Sequence, residues 1–488
     1  MVAPVHYHTN TPLASGAQAS SGGLPGFNSA VSGQVTQADG AATSQFKGAN
    51  SKHIDGYPRP PRSHTKRNLL IALAVLAVLG LALGLGLGLG LKKKAQDPES
   101  QSISSGNFLF DPKKNSMIVG CSPDWSEMSA AQYDRNVGHA TSMYDSFFHL
   151  SDRLYKEGCR FNTLVDYETS EPGDCFDFLY SQVKDTGAIM SITLMPDVKG
   201  YGLDEINAAD STIAATFAAR LKRIVDADPN VKIMVRFGHE MNGNWYTYAG
   251  YPAEYVAAYR KVADAVRAVA RDNVAFIWSP NANMDYPWGN GGSDSRNLQP
   301  GSTNTSDPRF QLLDTNGDGI YNNQDDFASP YYPGDEYADW VGLSVYFYNF
   351  TDDTQNAIVE PNFVYNAITV GSATDAAKFP NRTNFIEKYS VQKNKPFMIS
   401  ETSAPSLNTS VSGITGLQAK SGMWEQVWNV TLMKDFPTYH GATWFEYQKP
   451  EGMPITMRDF RLTADPATRS AFADFLNSIS RYVAWAQN

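Results

Sequence analysis

Eight short apolar runs, separated by stretches of helical periodicity, constrain the fold of this chain more than any other feature. They are Met117–Gly120, Phe161–Val165, Ala188–Leu194, Lys232–Phe237, Val274–Trp278, Trp340–Val345, Pro396–Ser400 and Ala442–Phe445. Each is rich in β-branched or aromatic residues, and most lack polar alternation, as strands buried on both faces do. Between them, Met143–Glu157, Ile213–Ala227, Ala253–Arg271, Gly422–Asp435 and Pro466–Ala486 repeat apolar residues at helical spacing. Eight strands alternating with helices predict an α/β fold, a (β/α)8 TIM barrel over residues 116–488. A doubly wound open sheet shares the alternation, but no Gly-rich phosphate loop supports it. The fifth connection, 281–339, is too long for one helix and is expected to shape the barrel mouth or carry an ion.

The N-terminal part has a different character. Residues 1–68 are rich in Gly, Ser, Ala, Thr and Pro and poor in large apolar side chains, so they are expected to be disordered. Leu69–Leu91 carries no charge and no polar side chain. At about 1.5 Å per residue it matches a hydrocarbon core of ~30 Å, which predicts one transmembrane helix. Gly80/Gly84, Gly84/Gly88 and Gly86/Gly90 stand at GxxxG spacing, a dimerising face or low-complexity apolar filler. Basic residues on both sides leave the positive-inside rule nearly tied. The sequons Asn304, Asn349, Asn381, Asn408 and Asn429 all follow the span. They predict a single-pass type II signal anchor, a cytosolic tail and a glycosylated domain that is extracellular or in the secretory lumen. Residues 92–115 form a polar linker.

Charge agrees with that division. The chain carries −10 overall, its tail has six basic against two acidic residues, and Lys92–Lys94 follow the span, which leaves −17 on residues 95–488. An acidic domain is a poor partner for nucleic acid and is indifferent to a neutral polymer. Cys121, Cys159 and Cys175 allow one disulfide, and the expected strand positions favour Cys121–Cys175.

Two of the runs end in carboxylates. Lys232–Phe237 leads into Glu240, flanked by His239, Asn242, Gly243 and Trp245, and Pro396–Ser400 leads into Glu401. In a parallel barrel both would face the same mouth, one from the fourth strand and one from the seventh. A retaining glycosidase needs such a pair, an acid/base and a nucleophile about 5–5.5 Å apart, with the acid's pKa raised by apolar surroundings. Asp124, Trp125, Asp166, Glu168 and Asp197 also fall at or after expected strand ends, where they either line the cleft or cap loops.

The residues around Glu240 carry a resemblance. His239-Glu240-Met241-Asn242-Gly243-Asn244-Trp245 resembles the acid/base motif of glycoside hydrolase family 26, the β-mannanase family, and Arg236 matches that family's Arg four places before the acid. Trp278-Ser279-Pro280-Asn281 resembles its fifth strand. Tyr332-Pro333-Gly334-Asp335 with Asp339–Tyr346 is similar to its sixth, and Ile399-Ser400-Glu401 to its nucleophile strand. The resemblance implies Glu240 as acid/base and Glu401 as nucleophile. It implies Tyr346 as a donor to the nucleophile, Trp245 and Trp444 as apolar walls for the sugar, and His239, Trp278 and Asn242 as further substrate-binding residues. The implied activity is that of a retaining endo-1,4-β-mannosidase-like enzyme acting on a polysaccharide. Phe237-Gly238 and Tyr246-Thr247-Tyr248 depart from the family pattern, so mixed-linkage β-glucan and β-1,3-xylan stay open as substrates. A carbohydrate-binding surface protein that had lost turnover is the alternative of another class; retention of both glutamates and Tyr346 argues against it.

A second constellation is Asp314-Thr315-Asn316-Gly317-Asp318-Gly319-Ile320-Tyr321-Asn322-Asn323-Gln324-Asp325. Oxygen side chains at loop positions 1, 3, 5, 9 and 12, with Gly at 6, follow the EF-hand pattern and look closest to the dockerin variant ending in Asp. Asp314, Asn316, Asp318, the Ile320 carbonyl, Asn322 and Asp325 are the expected ligands of a structural Ca2+. No cofactor is expected for catalysis.

Overall fold

The structure, a computed structural model, describes residues 109–110, 115–150, 174–196, 202–282, 286–289, 298–349, 351–370, 383–452 and 455–486. The expected tail, the Leu69–Leu91 span, most of the linker, the expected strand Phe161–Val165, Cys159, Asp166, Glu168, Asp197 and Asn381 lie outside these residues. Among the described residues no helix is long and apolar enough to cross a membrane.

In chain order the elements are β1 (Ile118–Pro123), α1 (Ala130–Val137), β2 (Met143–His149), α2 (Asp174–Val183), β3 (Ile189–Met195), α3 (Leu203–Asn207), α4 (Ile213–Ala227) and β4 (Ile233–Phe237). Then follow α5 (Pro252–Ala270), β5 (Val274–Trp278), α6 (Phe310–Leu313), β6 (Trp340–Tyr346), α7 (Phe363–Ile368), a π-helix (Ile386–Val391) and β7 (Phe397–Ser403). The last are α8 (Gly416–Val427), α9 (Val430–Asp435), β8 (Tyr439–Glu446), the hairpin β9 (Gln448–Glu451) and β10 (Thr456–Asp459), and α10 (Pro466–Ile479). Strands β1 to β8 close into a parallel barrel, with β8 back against β1 through Gly120↔Thr443 and Cys121↔Trp444.

Local chemistry sets the helix ends. Ser129 and Gln132 form a capping box at α1, and Thr415 with Gln418 forms another at α8. Asp465 caps α10 ahead of Pro466 at its first position. Asn429 accepts from the Thr431 and Leu432 amides and starts α9, so the expected single helix Gly422–Asp435 is two. The expected helix Pro466–Ala486 stops at Ile479.

One element is of the wrong type. Met143–Glu157 was expected to be helical, but Met143–His149 is β2, paired with β3 along all seven residues from Met143↔Ile189 to His149↔Met195. Ladder pairing on both edges outweighs the weak helical spacing of Met143, Phe147 and Leu150. The expected Cys121–Cys175 disulfide depended on the misplaced second strand. Cys175 falls in α2, and Cys121 is a free, fully buried thiol. Burial raises its pKa well above the usual thiol range, with Glu446 adding to the effect, so it stays protonated.

Alternation along the strands divides the interior. Ile233, Val235 and Phe237 of β4 pack outward against the helices, whereas Met234 and Arg236 turn into the barrel. Ile118, Met143, Ile189, Met234, Ala275, Ile277, Trp340 and Met398 fill the lower barrel. Above them the inward residues become polar: Asp145, Ser191, Thr193, Arg236, Ser279, Ser344, Ser400 and Glu401 are all buried. In β7 the register against β6 shifts, Leu343 pairing with Ile399 and Ser344 with Glu401. Ser400 is thus an extra residue, and the bulge lets both Ser400 and Glu401 face inward.

Candidate active site

The fourth strand ends in a sharp turn. Gly238 has φ 53°, and a Cβ there would sit 2.7 Å from the Tyr255 ring, so only glycine fits. Glu240 itself has φ 54°, a left-handed conformation unusual for a non-glycine residue. The turn is held because the Glu240 amide donates to the Ser279 carbonyl at 2.9 Å, which ties β4 to β5.

Both Glu240 oxygens receive uncharged donors. Trp245 Nε1 donates to Oε2 at 2.8 Å, and Asn281 Nδ2 donates to Oε1 at 2.8 Å. Asn242 clamps Asn281 from both sides: its Oδ1 accepts the Asn281 amide at 2.8 Å and its Nδ2 donates to the Asn281 carbonyl at 3.0 Å. Asn242 is therefore a support for Asn281, not the sugar contact expected of it.

Glu401 is held by charge. Arg236 Nη1 donates to Oε2, and Tyr346 Oη donates to Oε1 at 2.6 Å. The Arg236 fork also reaches Ser279 Oγ through Nε at 3.1 Å and Ser344 Oγ through Nη2. The Ser344 hydroxyl also favours the charged form of Glu240. Arg236 thus touches Glu401 directly and acts on Glu240 through its charge; Glu240 and Glu401 are 6% and 8% exposed. Both acids belong to a single site at the carboxyl ends of the strands.

Electrostatics separates their duties. Burial raises the Glu240 pKa, the neighbouring Glu401 raises it further, and Arg236 and the Asn281 and Ser344 donors only partly oppose this. Burial and the Glu401 charge hold the Tyr346 phenol well above its ordinary pKa, so it stays a donor. Deeper in the barrel, burial pushes Asp145 up to about 7, against donors from Ser191 and Thr193 and the Arg236 charge.

Several expected contacts lie elsewhere. His239 is fully buried, with Nε2 2.7 Å from Tyr246 Oη and Nδ1 3.3 Å from Tyr248 Oη; it anchors the loop instead of facing the cleft. Trp278 points outward from β5 and is enclosed by Tyr332, Phe385 and Tyr389. Trp444 also points outward, stacked on Trp428, with Nε1 donating to the Phe460 carbonyl at 2.8 Å. Strand alternation is the reason: Trp444 is one residue out of phase with the interior, and its neighbour Phe445 faces inward, against Phe147 and Tyr346. Trp245 stays beside the acid, 4% exposed. Sequence reasoning missed Asn281, Ser344, Ser279 and Asp145 as parts of the site. The inward register of β2, β5 and β6 was the signal that could have found them.

The 314–325 loop is folded on its own oxygens. Asp314 Oδ2 accepts the Gly319 amide, Asn316 Oδ1 the Asp318 amide and Asp318 Oδ1 the Ile320 amide, each at about 3.0 Å. Asp325 is 2% exposed and accepts the amides of Thr315 and Asn322. Asp314 Oδ1 is a buried acceptor with no hydrogen-bond partner. Among the described residues no three His, Cys, Asp or Glu side chains converge as a metal centre. In this loop the carboxylates alternate with Asn amides and a carbonyl.

Residues 195–295 and 320–423 match the family model described as Glycosyl hydrolase family 26. No curated protein matches the sequence. Among solved structures, a family 26 β-mannanase from Bacteroides ovatus is 12% identical, with 77% of this chain and 91% of that chain covered and a TM-score of 0.44. A Bacillus subtilis mannanase is 16% identical, over 68% of this chain and 81% of that one, at 0.38. A Podospora anserina GH26–CBM35 β-(1,4)-mannanase is 15% identical, over 76% and 62%, at 0.38.

Proposed function

We propose that this glycoside hydrolase carries a family 26 catalytic domain over the matched residues and cleaves a β-linked, mannan-type polysaccharide by double displacement. Glu401 is the nucleophile and Glu240 the acid/base. The observation that carries this reading is the unequal surroundings of the two carboxyls: Arg236 donates to Glu401, while Glu240 is bonded by the neutral donors Trp245 and Asn281.

In the first step a Glu401 oxygen attacks the anomeric carbon and the glycosidic bond breaks. Glu240 gives its proton to the departing oxygen, leaving a glycosyl ester on Glu401. Tyr346 and Arg236 hold the Glu401 carboxylate in line for attack. In the second step the Glu240 carboxylate takes a proton from water, whose oxygen displaces Glu401; this second inversion restores the substrate's anomeric configuration. The raised pKa of Glu240 suits a group that must start protonated.

A panel of mannan, glucomannan, mixed-linkage β-glucan and β-1,3-xylan tests the reading through release of reducing ends. Hydrolysis of a mannan backbone that Glu401→Ala abolishes, with polymer binding retained, supports it. Binding without turnover by the unmodified protein would instead make this a carbohydrate-binding barrel.

The donors of the 314–325 loop fit a hard cation. Asp314 Oδ1 lacks a partner, and Asn316, Asp318, the Ile320 carbonyl and Asn322 supply further oxygens. We propose a structural Ca2+ there. Calorimetry with and without chelator tests it: a melting temperature that chelation leaves unchanged refutes the ion. We also propose that Leu69–Leu91 is a type II signal anchor, with the sequons glycosylated. Carbonate extraction with glycosidase-sensitive mobility supports this, and release into the soluble fraction refutes it.

A further inference from the structure

The acid is held through one donor that could swing away. Trp245 Nε1 reaches Glu240 Oε2 only at one angle of its ring, so whatever fixes the ring fixes the acid. Two groups clamp it. On one side lies the Gly243 backbone, where a Cβ would stand 2.7 Å from two ring atoms. On the other, Trp288 meets it edge to face, with ring centroids 4.8 Å apart at 75°.

Trp288 is itself pinned. Asn244 Nδ2 donates to the carbonyls of Trp288 and Gly289, at 3.3 and 2.6 Å. Tyr286 packs against the Trp288 ring at 5.8 Å and 84°, and Tyr321 packs against Tyr286 at 5.9 Å and 82°. Tyr321 stands at the eighth position of the 314–325 loop, and its backbone exchanges hydrogen bonds with Ser302 at 2.9 Å and Gly301 at 2.7 Å. A row of four rings, Tyr321, Tyr286, Trp288 and Trp245, therefore joins the long insertion after β5 to the acid carboxyl. Edge-to-face aromatic pairs are directional, so each ring resists rotation of the next. A small cavity lined by Asn244, Trp288, Leu313, Tyr321 and Tyr331 lies beside this row.

We propose that Trp288 is a positioning residue for the acid/base, acting through Trp245, and that the 298–339 insertion holds the acid in place through this row. The inference rests on Glu240 being the acid/base. Displacing a catalytic group by about 1 Å costs on the order of 10²-fold in rate. The loss should appear only where the leaving group needs a proton.

The test compares two substrates of one sugar, the polysaccharide and a 2,4-dinitrophenyl β-glycoside, whose leaving group departs unprotonated. Trp288→Ala is expected to lower kcat/KM on the polysaccharide about 10²-fold and on the aryl glycoside less than about twofold. Added azide should speed its turnover of the aryl glycoside by replacing the base-assisted water. Trp288→Phe should recover most of the loss, and Tyr321→Ala should move both ratios the same way by a smaller factor. Equal losses on the two substrates, or none, overturn the proposal. Glu240→Ala is the control. If it too loses equally on both, the acid/base assignment fails; if it discriminates between them and Trp288→Ala does not, only the role of Trp288 falls.

Discussion

Glu401 receives a guanidinium and a phenol from side chains inside β4 and β6, whereas Glu240 receives an indole and an amide from the loops after β4 and β5. The first arrangement is built on strands and gives its carboxyl a charge-assisted hydrogen bond. The second is built on a turn at φ 54°, takes its hydrogen bonds from uncharged donors, and leaves burial to favour the protonated form. One barrel mouth thus separates two identical carboxyls by what surrounds them. The strand-built half needs the bulge at Ser400, and the loop-built half needs the insertion behind it.

The largest break in this comparison is on the two carboxyls. Glu401→Ala should remove turnover of every substrate, while Glu240→Ala should cost about 10² to 10⁴-fold on a polysaccharide and little on an activated aryl glycoside. Steady-state kinetics on both substrates check this, and equal losses would erase the distinction. Next, Arg236→Met removes the cation paired with Glu401, itself nearly buried. A loss of about 3–5 kcal/mol in unfolding free energy is expected from urea titration. A neutral result would mean that Glu401 does not depend on the guanidinium.

Asp145 sharpens the picture through pH. Its carboxyl is pushed up to about 7 in the folded chain against an ordinary value of 3.8. Between those values the unfolded chain releases the proton and the folded chain keeps it, so this group's contribution falls as pH rises and then stays constant above about 7. Asp145→Asn should therefore stabilise the protein at pH 8 by about 4 kcal/mol and hardly at all at pH 4. Urea midpoints at the two pH values check it, and an equal gap at both would contradict it. The smallest effect is expected from Gly243→Ala, whose new methyl meets the Trp245 ring. A loss of about tenfold in polysaccharide kcat is expected, with KM nearly unchanged.

Much of the barrel was legible because buried parallel strands are written as continuous apolar runs. Val274–Trp278 is a strand to the residue, and Ile213–Ala227 is a helix to the residue. Met143–His149 was misread because Asp145 and Ser146 interrupt the run, and Asp145 is polar since it faces the site. The two glutamates were legible as strand-end carboxylates, although β7 runs on through Glu401 to Ser403, with the bulge turning the acid inward. Trp278 and Trp444 were misassigned because a motif gives a residue's position along a strand but not which face it occupies, and register decides that. The Asn242–Asn281 clamp and the Tyr321–Tyr286–Trp288 row join loops far apart in sequence, and no local pattern encodes such contacts.

Covalent trapping tests the central claim most directly. The protein is incubated with a 2-deoxy-2-fluoro β-glycoside bearing a good leaving group, which slows breakdown of the ester more than its formation, and is then digested and mapped by mass spectrometry. One fluoroglycosyl adduct is expected, on the peptide containing Glu401, and none in Glu401→Ala. An adduct on Glu240 or another residue, or none from an enzyme that still turns over polysaccharide, would contradict it.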